Sequence, residues 1–227
     1  MIELVALDMA GTTIEEHGAV YAALHDAVAA ERGTVTETQV QDWMGTDKRV
    51  ALRALVELGG AGALDADGVE RAYATFRDLL ADRYRQKPPT PIPGVPEALA
   101  KLRADGVRVA LTTGFARDVA EPLLATLGWV EGGSLIDAVV CVDEVAAGRP
   151  APYLIFRAME RTGIVAVDRV LAAGDTIVDL QAATNAGVAA AVGVGTGKLG
   201  LEELAVHPHT HLLPSVADLP VLVAALS

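Results

Sequence analysis

Carboxylates, hydroxyls and one guanidinium recur after short apolar runs of this chain. Asp8 follows Ile2 to Leu7 and opens the stretch Asp8-Met9-Ala10-Gly11-Thr12-Thr13, and Thr112-Thr113-Gly114 follows Val107 to Leu111. Arg149-Pro150 comes after Ala138 to Val142, and Gly174-Asp175-Thr176-Ile177-Val178-Asp179 after Val170 to Ala173. Each alone says little: an aspartate behind a strand is a helix N-cap, a nucleophile or a metal ligand, and Gly-Asp-Thr is a common turn. Brought to one rim, two or three carboxylates, hydroxyls and a cation make an oxygen-rich site suited to Mg²⁺ and a phosphoryl group.

One rim requires one sheet. In an open parallel sheet ligands bind beyond the carboxyl ends of the strands, where these residues would lie. The runs Leu4 to Leu7, Val107 to Leu111, Ala138 to Val142, Val170 to Ala173 and Ala189 to Val194 alternate with helical patterns, which predicts an α/β fold with a Rossmann-like parallel sheet. Between Ile14 and Pro88 the texture changes: no strand-like run occurs, and Val20, Leu24, Val28, Leu52, Leu55, Val56, Phe76, Leu79 and Leu80 recur at helical spacing. This predicts an all-helical insert over 15–88 within a core made of 1–14 and 89–227. The segment from Lys87 to Gly94 carries four prolines and suits a stiff return connection.

The chain has 227 residues, is 52% hydrophobic and carries a formal net charge of −12, which fits a globular core and argues against nucleic acid or anionic membranes as partners. The single cysteine, Cys141, lies in an apolar run and reads as a buried small hydrophobe in a reducing compartment. The N-terminus lacks a charged leader with a cleavage site, and no apolar run reaches about 18 residues. The expected location is therefore cytoplasmic. His207, His209 and His211 alternate along an extended segment leading to a last strand and read as a solvated strand edge; Gly195-Thr196-Gly197 reads as a turn.

The four motifs resemble those of the haloacid dehalogenase superfamily over nearly the whole chain. Asp-x-Ala-Gly-Thr-Thr from Asp8, Thr-Thr-Gly from Thr112, Gly148-Arg149-Pro150-Ala151-Pro152, and Gly-Asp-Thr-x-x-Asp from Gly174 followed by Asn185-Ala186-Gly187 resemble its phosphonatase-like branch, the phosphonoacetaldehyde hydrolases and their relatives. The resemblance implies a helical cap inserted after the first motif and a small phosphonate or phosphate as substrate; a homodimer is compatible with it. It implies Asp8 as nucleophile, forming an aspartyl-phosphate, with Mg²⁺ held by Asp8, Asp175 and the backbone carbonyl of Ala10. Thr112 and Thr113 would donate to phosphoryl oxygens, Arg149 would supply charge and a donor fork, and Asp179 would orient the metal shell. Gly11, Thr12, Met44, Gly45, Thr113 and Gly114 are the implied substrate contacts.

Ala10 stands where most phosphatases of the superfamily carry a second aspartate as general acid, and alanine can neither protonate a leaving group nor activate water. In the phosphonatase-like branch the leaving group is a carbanion made tolerable by a Schiff base on a cap lysine. Trp43-Met44-Gly45-Thr46-Asp47-Lys48 resembles that cap motif and puts Lys48 in the imine position. If Thr46 caps the next helix, Lys48 lies in its first turn, where the dipole favours a free amine, while Asp47 works the other way. Two features keep a phosphatase reading open: a basic residue in this place also serves merely to bind substrate, and Ala51 stands where the branch carries a proton-transfer histidine. His17 is the only replacement suggested for it.

Overall fold

The structure, a computed structural model, describes residues 1–226. They divide into two compact units: residues 1–15 with everything from Thr90 onward, and Glu16–Pro89 between them. In the first unit β1 (Leu4–Asp8) and the short β2 (Ile14–Glu15) precede the second unit, which holds α1 (Ala19–Ala30), α2 (Glu37–Gln41), α3 (Lys48–Leu58) and α4 (Ala66–Gln86). The first unit resumes with β3 (Thr90–Pro91), α5 (Val95–Ala104), β4 (Arg108–Thr113), α6 (Arg117–Thr126), β5 (Ala138–Cys141) and α7 (Tyr153–Thr162). It ends with β6 (Val170–Gly174), α8 (Ile177–Ala186), β7 (Ala190–Val194), α9 (Leu201–Leu204), β8 (His211–Leu213) and α10 (Leu219–Ala225).

Six strands form one parallel sheet in the order β5-β4-β1-β6-β7-β8. The order reverses beside β1, so the crevice between the tips of β1 and β6 is the place where such sheets bind ligands. Every residue of β1, β5, β6 and β7 is buried, which explains why these strands read as unbroken apolar runs. Side chains alternate across a strand, so Leu4, Ala6 and Asp8 share one face, and the register pairs Asp8 with Thr112 on β4. Leu154, Ile155 and Ala158 of α7 and Ala182, Ala183 and Ala186 of α8 pack on that face against Leu4, Ala6, Ala110 and Val140. The chain enters α7 through Arg149, which accordingly arrives over the same face as Asp8 and Thr112.

Three details depart from the sequence reading. The stretch expected to hold no strand begins with β2, which pairs antiparallel with β3, Ile14 against Pro91; a two-residue strand is too short to carry a periodic signal. The third main strand stops at Cys141 and not Val142, because Glu144 Oε1 accepts the Cys141 N–H at 3.0 Å and turns the chain into a single 3₁₀ turn. At the far edge β8 adds a sixth strand that begins on His211 itself. The histidines bond locally, His209 Nδ1 with the His207 carbonyl at 2.7 Å and His211 Nδ1 with Thr210 Oγ1 at 2.9 Å. Among the described residues no histidine joins a metal-competent cluster.

The second unit is a helical bundle in which α1 and α4 pack closely, with α3 against both. Leu24, Val28, Leu52, Leu55, Val56, Phe76 and Leu80 form its interior, and each buried side chain of this kind contributes roughly 1.5–3 kcal/mol. The start of α1 has no side chain on its N-cap, Gly18; the buried Glu16 serves instead, accepting the Gly18 N–H at 3.1 Å and the Val20 N–H at 2.7 Å. Among the described residues no helix is long and apolar enough to cross a membrane.

Candidate active site

At the carboxyl tip of β1, Asp8 is 6% exposed. Its Oδ1 accepts from Arg149 Nη1 at 2.6 Å. Arg149 is equally enclosed and spreads its fork over three elements: Nη2 donates to Thr112 Oγ1 at 2.7 Å and to the Thr112 carbonyl at 3.0 Å, and Nε meets Asp179 Oδ1 at 2.8 Å. A planar guanidinium can bind in three directions at once, which a lysine ammonium on a flexible stem cannot hold in one geometry. The Thr112 hydroxyl, expected to serve a phosphoryl oxygen, is engaged here by Arg149.

Asp175 and Asp179 flank the start of α8. Asp175 lies just past β6 and is buried; its Oδ1 accepts the Thr12 hydroxyl at 2.7 Å. Asp179 closes a capping box, its Oδ2 accepting the Thr176 N–H at 3.1 Å and the Thr176 hydroxyl. Both oxygens of Asp179 thus have partners, one on Arg149 and one on the helix cap. Asp8, Asp175 and Asp179 each place a carboxylate oxygen within 4.8 Å of the others.

Burial sets the electrostatics. It pushes the Asp8 carboxyl up to about 6, with Arg149 pulling down and the Asp179 charge adding to the rise. Asp175 goes well above the usual carboxylate range, first through burial and then through the neighbouring Asp8 and Asp179 charges, with Thr12 opposing. Arg149 stays firmly cationic, because Asp179 and Asp8 outweigh the cost of burying it. When ionised, the three crowded carboxylates facing one guanidinium carry an excess of two negative charges, which is why the metal-free site holds protons on Asp8 and Asp175 more tightly. That deficit, and an all-oxygen donor set, fit a hard divalent cation such as Mg²⁺.

The turn after β1 is built for close approach. Met9 O receives the N–H groups of Thr13 and Ile14, both at 2.9 Å, Gly11 N–H bonds to the Ile14 carbonyl at 2.9 Å, and the Thr13 hydroxyl donates to the Asp8 carbonyl at 3.0 Å. Gly11 has φ 86°, and a Cβ there would come within 2.5 Å of Asp175 Oδ2. Only glycine combines that dihedral with that proximity. Of the expected substrate contacts, Thr12 gives its hydroxyl to Asp175, and Thr113 accepts the Phe115 N–H at 3.1 Å beside the buried Gly114.

Two residues passed over as a plain turn also reach this place. Thr196 Oγ1 donates to the Gly11 carbonyl at 2.6 Å, and a Cβ on Gly197 would lie 1.9 Å from Asp175 Oδ2. The only sequence signal was their position behind a buried strand.

In the helical unit, Lys48 is the first residue of α3 and is 4% exposed, its Nζ donating to the Thr46 carbonyl at 2.9 Å. Asp47, not Thr46, is the N-cap: its carboxylate accepts the Arg49 N–H at 2.7 Å, while the Thr46 hydroxyl turns back to the Trp43 carbonyl at 2.7 Å. Both residue types cap well; here the Thr46 hydroxyl is taken by the Trp43 carbonyl, and Gly45 just before it has φ 77°. Met44 is buried, Ala51 is fully buried, and His17 takes a positive φ of 60°.

A family model described as haloacid dehalogenase-like hydrolase matches residues 2–187. A phosphonoacetaldehyde hydrolase of Parabacteroides distasonis is 32% identical over 212 residues, 88% of this chain and 79% of that protein. Among solved structures, a phosphonoacetaldehyde hydrolase-like protein from Oleispira antarctica aligns with TM-score 0.84 at 23% identity, over 99% of this chain and 92% of that one. A predicted phosphoglycolate phosphatase from Haemophilus somnus aligns with TM-score 0.74 at 19% identity, over 97% of both chains. With Asp8, Thr112 and Asp175 at three strand tips and Arg149 on the loop into α7, matching the family's carboxylates, threonine and arginine, the chain belongs to the haloacid dehalogenase-like hydrolases, in their phosphonatase-like branch.

Proposed function

We propose that this hydrolase cleaves the P–C bond of phosphonoacetaldehyde or a related carbonyl phosphonate, with Mg²⁺ and through an aspartyl-phosphate on Asp8. The observation that carries the reading is Ala10, two residues past a buried, arginine-bound carboxylate, where an ester-cleaving enzyme needs an acid. The names of the curated relatives support it.

Asp8, Asp175 and the Ala10 carbonyl would hold the metal, which supplies charge neutralisation between an anionic nucleophile and an anionic phosphoryl group. Asp8 attacks phosphorus; the O–P bond forms as the P–C bond breaks, and the electron pair departs on carbon. Arg149 keeps the nucleophile oriented and offers its charge to the phosphoryl oxygens, and Asp179 keeps Arg149 in place. Lys48 supplies the amine that condenses with the substrate aldehyde, losing water, so that the departing pair is taken up as an enamine. Protonation and hydrolysis of that adduct free acetaldehyde and Lys48, and a second water releases phosphate from Asp8.

A second reading, hydrolysis of a small phosphate monoester, is favoured by one observation: the residue three past Lys48 is the fully buried Ala51, which can transfer no proton. Borohydride separates the two. Under the imine mechanism, reduction in the presence of an aldehyde phosphonate fixes an adduct on Lys48, and Lys48→Arg is nearly inactive although it keeps the charge. Under the ester mechanism arginine substitutes with changes mainly in KM, and no adduct forms.

A further inference from the structure

The turn that follows β7 belongs to the site. The strand tips of β1, β6 and β7 are neighbours on one rim, because β7 pairs in parallel with β6 and β6 with β1. β7 ends at Val194, and the Gly195 N–H is tied to the Leu213 carbonyl of the edge strand at 3.1 Å. This anchors the turn and leaves the next two residues facing the metal-competent carboxylates.

Each of the two meets a different part. The Thr196 hydroxyl donates to the Gly11 carbonyl at 2.6 Å, a contact across 185 residues that grips the turn carrying Ala10. Gly11 N–H is simultaneously held by the Ile14 carbonyl at 2.9 Å, and in a trans peptide this fixes the opposite direction for the Ala10 carbonyl. Gly197 backbone closes on Asp175 at the oxygen that Thr12 does not bond: an added Cβ would stand 1.9 Å from Oδ2, 2.5 Å from Cγ and 2.7 Å from Cβ of Asp175. Rotation of the carboxylate alone would not relieve such a clash, because the aspartate Cβ is itself too near. Asp175 is therefore clasped between the Thr12 hydroxyl, the Gly11 backbone and the Gly197 backbone.

We infer that Thr196 and Gly197 are positioning residues for the divalent cation, a further strand-tip element, behind β7, that sets the Asp175 rotamer and the Gly11 turn. The inference rests on the metal reading above but not on the identity of the substrate. It requires no charged group from this turn, only a hydroxyl and the absence of a side chain. That explains why a motif of acids and bases does not reveal it.

The test is a Mg²⁺ titration followed by thermal unfolding, with inorganic phosphate absent and no turnover measured. Gly197→Ala should raise the Mg²⁺ midpoint at least ~10-fold. Thr196→Val, which removes the hydroxyl at nearly constant shape, should raise it by ~3–10-fold while lowering the metal-free melting temperature by only about 2–4 °C, and Thr196→Ser should restore the parent value. The valine and serine pair decides the matter even if Gly197→Ala fails to fold. Parent-like midpoints in the valine variant, with the parent itself responding to Mg²⁺, would overturn the role of the turn alone. A parent with no Mg²⁺-dependent shift would overturn the metal reading and this inference with it.

Discussion

Arg149 and Asp179 meet through Nε and Oδ1 at 2.8 Å, both side chains at most 5% exposed. The pair does more than neutralise charge. It fixes the one guanidinium edge that Asp8 and Thr112 leave over, so the fork that touches Asp8 cannot rotate. On the proposed reading Asp179 is a positioning residue, and Asp175, which bonds the Thr12 hydroxyl and forms no ion pair among the described residues, is the carboxylate left for metal.

Asparagine at each position should separate the two roles. Asp179→Asn is expected to lower kcat ~10–100-fold while leaving the Mg²⁺ midpoint within about threefold, because it loosens Arg149 without removing a metal donor. Asp175→Asn should raise the Mg²⁺ midpoint ~100-fold or more. Calorimetric Mg²⁺ titration with steady-state kinetics checks both, and equal losses of metal affinity in the two variants would count against the assignment.

Burying the Asp8 carboxylate costs stability once it ionises. Its proton is held more tightly in the folded protein, up to about 6 against an ordinary 3.8. Its contribution to metal-free stability is therefore fully present below pH 3.8 and is lost as pH rises through about 6. Asp8→Asn should abolish phosphate release yet stabilise the metal-free protein at pH 8 by ~1–3 kcal/mol, with the gain vanishing near pH 4. Chemical denaturation at the two pH values reads this directly. A variant that is less stable at pH 8 would mean that the Arg149 pairing outweighs burial.

Much of this arrangement is legible in the sequence, for physical reasons. Strands buried on both faces must be apolar throughout, so β1, β4, β5, β6 and β7 announce themselves, and the polar residue that ends each run marks the rim. Asp8, Thr112 and Asp175 stand at such ends, whereas Arg149, on the loop into α7, is marked by the Gly148-Arg149-Pro150-Ala151-Pro152 motif. What stayed hidden depends on backbone proximity between distant segments: the approach of Gly197 to Asp175, the Thr196 contact to Gly11, and the pairing of β2 with β3. Glycines and two-residue strands carry no periodicity, and residue type does not choose between Thr46 and Asp47 as cap, since both types cap well.

Restoring a carboxylate two residues past the nucleophile tests the meaning of Ala10. Ala10→Asp should leave P–C cleavage no faster and raise turnover of small phosphate esters ~10-fold or more, since an alkoxide gains from a nearby acid and an enamine does not. Comparing both substrates with both proteins checks this. An increase in P–C cleavage would remove the explanation given for the alanine.

The most direct measurement is phosphate release from phosphonoacetaldehyde by the parent protein, with and without Mg²⁺, alongside a panel of small phosphate monoesters. Mg²⁺-dependent release of phosphate with an equal amount of acetaldehyde, and ester turnover at least ~100-fold slower, is the expected result. Rapid ester hydrolysis with no phosphate from the phosphonate would contradict it.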